Sequence, residues 1–420
     1  MFQREQRVRA SNEADGRFRK IATAGMFFQG GAAAIDTGTI VATLVHGLTG
    51  STVAVGAAAA IARYGWLFPQ LFTAYYAGRR RRRLPFYMAG AFGRVACLGA
   101  ISLLLVVVPR ESPSLVAGFF VLWTLYAFVG GILAVPYNDI VARAIPSGER
   151  SRLLAVRFFG GGLLALAVAA AAHRVVGGFA FPADYALMVL MGAALLLISA
   201  LSFVSAREPD ATPARDAGEG LASFLRRGLR IYRDDRRFRL FVGARWLDGA
   251  AAMALPFYIV EARAVGAPAA SVAILLAAQT VGALFSNPLW GWWGDRLGKR
   301  ELLQATAVLA ATPALLALAA SLAPPAAPAV TLPLFAIVFV LIGAAGNGGT
   351  IAQLGYLMEI SPDDDRPAYS GYFNALVAPA ALLPLAGAAV IGVAGSPVLF
   401  AASAAAAGLQ CIVVRRLRER

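Results

Sequence analysis

The sequence predicts an all-α membrane protein of twelve transmembrane helices arranged as two pseudo-symmetric six-helix bundles. The chain is 59% hydrophobic and only 15% charged over 420 residues. With a mean hydropathy of +0.67, it is too apolar for a soluble domain and too long for a single anchor. Its apolar residues gather in runs of about twenty, the length a helix needs to cross the hydrocarbon core. The loops of the first half recur in the second at a constant spacing. Pro146 and Arg150 fall on Pro362 and Arg366, and at the same spacing Arg79 to Arg83 fall on Asp295 to Lys299. Such duplication marks carriers built from paired bundles, with a path at their interface.

Six runs make up an N-terminal bundle, residues 1–205: Ile21 to Val45, Val53 to Ala77, Leu84 to Val108, Leu115 to Ala144, Leu153 to Val176 and Tyr185 to Ser205. Six more make up a C-terminal bundle, residues 240–420: Leu240 to Val265, Ser271 to Trp293, Leu302 to Leu322, Thr331 to Met358, Ala368 to Val393 and Val398 to Val414. Residues 206–239 join them as a cytoplasmic linker. After Glu208-Pro209-Asp210 the linker reads as an amphipathic helix at the inner membrane surface. Leu221, Phe224, Leu225, Leu229 and Tyr232 share one face, and Arg226, Arg227, Arg230 and Arg233 the other.

The net charge of +15 would suit nucleic acid, but the cations sit in short stretches between apolar runs, as the positive-inside rule requires, and nucleic acid is not a predicted partner. Even-numbered turns hold Arg79 to Arg83, Arg150, Arg152, Arg296, Lys299, Arg300 and Arg366, whereas the opposite side holds little beyond Arg110, Arg174 and Arg263. Both termini are therefore expected in the cytoplasm, with a bacterial inner membrane as the location. The run from Ile21 is too long for a signal peptide and carries Asp36, so it is expected to stay as the first span. Cys97 and Cys411 lie inside apolar runs and read as packing residues. No cofactor or metal is expected, and no P-loop or nucleophile–base arrangement points to an ATP-driven pump or an enzyme.

The turn Gly291-Trp292-Trp293-Gly294-Asp295-Arg296-Leu297-Gly298-Lys299-Arg300 has the pattern G-x-x-x-D-R-x-G-x-R and resembles the loop signature of the major facilitator superfamily of secondary transporters. Smaller stretches, Leu48-Thr49-Gly50-Ser51, Pro69-Gln70-Leu71 and Ile145-Pro146 with Arg150, resemble a poorly characterised bacterial branch of it. The resemblance implies alternating access and a cytoplasmic gate made of Gly291, Gly294, Asp295, Arg296, Gly298, Arg300, Glu359 and Arg366. In the first-half copy the loop acid is lost among five arginines, and Asp139, with Arg143 near it, stands where a replacement carboxylate would come from. Helix five lacks the Gly-Pro pair of proton-driven drug antiporters, and Tyr126 falls about where many of them carry arginine. Multidrug efflux is thus the less favoured variant.

A charge at mid-depth costs about 2.5 to 3.5 kcal/mol on insertion scales and needs a partner or a watery cavity. Asp36, Arg63 and Arg94 fall there in the first half, with Asp36 and Arg63 within reach of each other. Arg245 and Asp248 share one face of helix seven. These five, with Gln279, Asn347 and Asn374, are the candidate coupling and cavity residues. Charge neutralisation inside a packed bundle is the competing reading of the ion pairs, and interhelical hydrogen bonding that of the amides. The expected function is transport of a small molecule by a monomer embedded in the lipid bilayer, with protons as the candidate coupling ion. A lipid scramblase or a sensor that kept the fold is the rival.

Overall fold

The computed structural model describes residues 2–78, 80–209, 220–268, 271–323, 327–361 and 366–417. Among them there is no strand. The first half comprises α1 (Phe2–Ala34), α2 (Ile40–Thr49), α3 (Thr52–Gly78), α4 (Leu84–Val107), α5 (Pro113–Ile132), α6 (Ala134–Ala144), α7 (Ser147–Val175) and α8 (Ala183–Ser205). The linker carries α9 (Leu221–Asp234). The second half comprises α10 (Arg236–Ala251), a 3-10 turn (Ala252–Phe257), α11 (Tyr258–Ala264), α12 (Ser271–Phe285), α13 (Asn287–Arg296), α14 (Lys299–Leu322), α15 (Pro328–Ile360), α16 (Arg366–Val377), a second 3-10 turn (Ala378–Leu382) and α17 (Leu383–Arg415).

Every apolar run of the sequence is helical, but several are broken. Eight stretches among the described residues are long and apolar enough to cross a membrane, and the last of them, Gly371–Arg415, contains two of the expected runs. Those two part at Gly395, where φ is +83° and the chain leaves helical geometry two residues before Pro397. The runs missing from that set are the ones carrying Asp36, Arg63, and Arg245 with Asp248. Two of these three runs, those with Asp36 and with Arg245 and Asp248, are also broken, whereas the one with Arg63 is a continuous helix.

In the first half α1 packs between α7 and α8, α4 lies against α5 and α8, and α3 against α5. In the second, α14 lies between α15 and α17, α12 against α15, and α10 against α17. Water does not drive helices together in lipid, so close approach and interhelical hydrogen bonds do. Where α12 crosses α15, a Cβ added at Gly343 would stand 1.9 Å from the Gln279 carbonyl oxygen, and one at Gly282 would stand 2.0 Å from that of Val340. Only hydrogen fits between these backbones. Elsewhere hydroxyls bridge: Ser199 donates to the Ala24 carbonyl at 2.7 Å and Ser102 to that of Ala186 at 2.8 Å. The halves meet through α7 against α12 and through α3 against α16 and α17.

The amphipathic helix of the linker does more than lie on a surface. Phe224 packs against Tyr372 of α16 and Tyr75 of α3, with ring centroids 5.0 and 6.0 Å apart, and the Tyr372 hydroxyl donates to the Phe224 carbonyl at 2.7 Å. Leu225 and Leu229 remain exposed. The apolar face is therefore divided between the protein and the surrounding medium.

Candidate functional site

Two adjoining cavities of about 530 and 510 Å3 lie between the halves. Asp36, Thr37, Arg63, Arg245, Asp248 and Thr350 belong to the walls of both. This charged partition brings five of the predicted residues into one place, because Arg94 lines the second cavity and the others divide it from the first.

Each charge is held differently. Asp36 lies in the break between α1 and α2, where the start of a helix leaves backbone N–H groups without partners. Its Oδ1 accepts from the Gly38 N–H at 3.0 Å and from the Thr39 hydroxyl at 2.9 Å, with Gln279 of α12 facing it across the cavity. The expected pairing with Arg63 is not formed. The break turns the carboxylate onto its own chain, whereas Arg63, near the middle of unbroken α3, faces Asp248 and Arg245 of the other half. Arg245 pairs with Asp248 at 3.0 Å, as the three-residue spacing on α10 requires, and the Gln410 amide reaches Asp248 at 3.5 Å. Arg63 is exposed to the cavities although it lies deep between the helices.

The amides serve two purposes. Asn347 donates to the Ala283 carbonyl at 3.0 Å and to Asn287 Oδ1 at 2.5 Å, holding α15 to the break between α12 and α13. Asn374 of α16 donates to Gln70 of α3 at 3.5 Å, a bond between the halves. Both residues also line a cavity. Trp66, Trp123 and Tyr126 form an aromatic wall in the second cavity, with Trp123 and Tyr126 stacked 4.9 Å apart.

Where α4 begins and α6 ends, the first half has a closed ion cluster. Arg83 pairs with Asp139, and Arg143 donates from Nε to Asp139 at 2.8 Å and from Nη2 to Glu208 at 2.7 Å. Glu208 also accepts the N–H groups of Arg83, at 2.9 Å, and Leu84, at 3.0 Å, and so caps the start of α4. Burial pushes the Glu208 carboxyl up, but the Arg143 guanidinium and these two N–H groups outweigh it and hold it below the ordinary carboxylate range. Glu208 escaped the sequence reading, since 125 residues separate it from Arg83. The only signal was its place directly after the sixth run.

In the second half the picture is partial. The side chains of Asp295 and Arg366 lie outside the described residues. Arg300 pairs with its neighbour Glu301, and Arg296 and Glu359 are exposed. Gly298 has φ +107° and starts α14, so glycine is required there. Gly294 faces Lys299 and Leu302 of α14, at 3.0 and 3.1 Å from its would-be Cβ, whereas Gly291 has nothing within 4 Å. The tightest approach among the glycines of this half is at Gly282 and Gly343, where α12 crosses α15.

The fold and the chamber define an integral membrane protein of two helical halves closed around a polar centre. Residues 242–420 match the family model of the Major Facilitator Superfamily, and the whole chain shares its fold with solved transporter structures. A mutant of the nucleoside transporter NupG superposes with a TM-score of 0.72 at 13% identity, covering 96% of this chain and 100% of that one. The xylose transporter XylE from E. coli, in a partially occluded inward-open conformation, gives 0.69 at 14%, covering 96% and 98%. The POT family transporter PepTSo gives 0.69 at 12%, covering 96% and 97%. No curated protein matches the chain.

Proposed function

We propose that the protein is a secondary active transporter that moves a small molecule across the membrane by alternating access, with the central chamber as its binding site. One observation carries this reading: the chamber is walled by polar and charged groups from both halves, Asp36 and Arg63 from the first and Arg245, Asp248 and Gln279 from the second. A rocking of one half against the other would therefore rebuild the site and change the side from which water reaches it. The structural neighbours are described as nucleoside, xylose and peptide transporters, and another as a D-xylose-proton symporter. Proton coupling is part of the proposal, with Asp36 and Asp248 as the candidate carboxylates of the chamber.

The division into residues 1–205, 206–239 and 240–420, a monomeric state, and an inner-membrane location with both termini cytoplasmic belong to the same reading. So does the gate, with Asp139, Arg143 and Arg83 closing the first half and Asp295, Arg296, Glu359 and Arg366 the second. The test is counterflow in proteoliposomes loaded with candidate metabolites. Saturable exchange of a solute, lost in Arg245→Gln, supports transport; lipid flipping without solute exchange would replace it by the scramblase reading.

A further inference from the structure

Of the charged groups in the second cavity, Arg94 stands apart. It is 2% exposed and lies on α4 with its guanidinium 4.9 Å from the Phe28 ring centroid. No carboxylate faces it, no hydrogen bond reaches it among the described residues, and its Nε is buried without a partner. The other charges of the cavity are disposed differently. Asp36 is taken up by its own helix break and Asp248 is shared between Arg245 and Arg63, which leaves Arg63 half-compensated and Arg94 without a counter-charge on one cavity wall. A buried guanidinium lacking acceptors is costly, and five N–H donors in a planar fork match the oxygens of a carboxylate or phosphate.

From this geometry we infer that the second cavity is an anion subsite, and that the transported molecule is a small organic anion. Its carboxylate or phosphate sits between Arg63 and Arg94, and its apolar or ring portion lies against the stacked Trp123 and Tyr126. The inference rests on the transport reading only for the word transported; the subsite stands without it. The Phe28 contact satisfies one face of the Arg94 plane by cation–π attraction and leaves the in-plane donors for a ligand. A neutral sugar would leave Arg94 uncompensated.

The test uses the purified full-length protein and three probes of similar shape: benzoate, phenyl phosphate and the neutral benzamide. Thermal melting and quenching of tryptophan fluorescence, to which Trp66 and Trp123 contribute from the cavity wall, report binding. The wild type is expected to respond to at least one anion and not to benzamide. In Arg94→Gln and Arg63→Gln the affinity falls by about thirty-fold or more, the loss typical of removing one partner of a buried charge pair, while Arg94→Lys keeps part of it.

A further reading separates binding from architecture. Without probe, Arg94→Gln melts at or above the wild-type temperature, because a costly unpaired cation has gone. A residue whose task was to hold Phe28 in place would instead lower the melting temperature. Equal responses to benzoate and benzamide, no response of the wild type to either anion, or full anion affinity in Arg94→Gln would each overturn the subsite. Solute counterflow then tells the two readings apart. Anion binding without exchange of any solute keeps the subsite and removes transport. Exchange of a neutral solute, unchanged in Arg94→Gln, keeps transport and removes the anion.

Discussion

Arg143, in the last turn of α6, donates to Glu208, the third residue beyond α8, at 2.7 Å. A residue of the linker is thereby bound to the first half's loop, and the same carboxylate caps α4. Arginine, acid and helix start form one unit.

Glu208→Gln removes the charge from that unit while preserving its shape. We expect a loss of about 1 to 3 kcal/mol and faster cysteine labelling of the start of α4 and the end of α6. The acid response has a definite sign. The folded carboxyl binds its proton more weakly than the ordinary value of 4.5, so its stabilisation is complete above that pH and is lost as pH falls below 4.5 through the folded value. Melting curves of wild type and Glu208→Gln should therefore converge in that acid range. Curves that stay parallel down to low pH would show that Glu208 contributes no charge-dependent stability.

The two cavity carboxylates should behave differently in double-mutant cycles. Arg245→Gln and Asp248→Asn should couple by about 1 to 3 kcal/mol, as contacting partners do. Asp36→Asn and Arg63→Gln should be nearly additive, because Asp36 bonds to Gly38 and Thr39 rather than to Arg63. Rescue of Asp36→Asn by Arg63→Gln would contradict the geometry.

Gly343→Ala should be among the most damaging single methyl additions in the chain. The new Cβ would lie 1.9 Å from a backbone oxygen, and the α12–α15 crossing must open to admit it. We expect a loss of about 3 kcal/mol or more and a marked drop in monodisperse yield. Gly346→Ala, three residues on with nothing within 4 Å, is the control and should be neutral or slightly stabilising.

Orientation is open to direct labelling. On a background lacking Cys97 and Cys411, a cysteine at exposed Ser223 in α9 should react with an impermeant maleimide only in inside-out vesicles. One at Glu111, between α4 and α5, should react in intact cells. Reversal of the two would invert the topology.

Helix position was readable from hydrophobic runs because a lipid-facing segment must be apolar throughout its length. Helix continuity was not. The run from Ile21 to Val45 looks uniform, yet it breaks at Asp36, and nothing local distinguishes an acid that bonds to its own turn from one that pairs across to Arg63. Arg245 and Asp248 were legible as partners because three residues on a helix fix their proximity. Glu208 was not, since its partners come from α4 and α6, and only folding brings them together. Gly282 and Gly343 were not singled out, for a related reason: sequence shows where small residues lie, but only the crossing shows which of them another helix approaches.

The unpaired Arg94 bears on how the protein would use electrical energy. A cation held near the middle of the bilayer, with no fixed counter-charge beside it, senses the membrane potential whenever water access shifts from one face to the other. Each elementary charge carried through the full field is worth about 2.3 kcal/mol per 100 mV. An empty chamber would return as a cation, and one filled by a monoanion would travel with that charge compensated. Voltage would then act chiefly on the unloaded half of the cycle, so the interior-negative potential of a living cell would draw the vacant site toward the cytoplasm and set the direction of net flow.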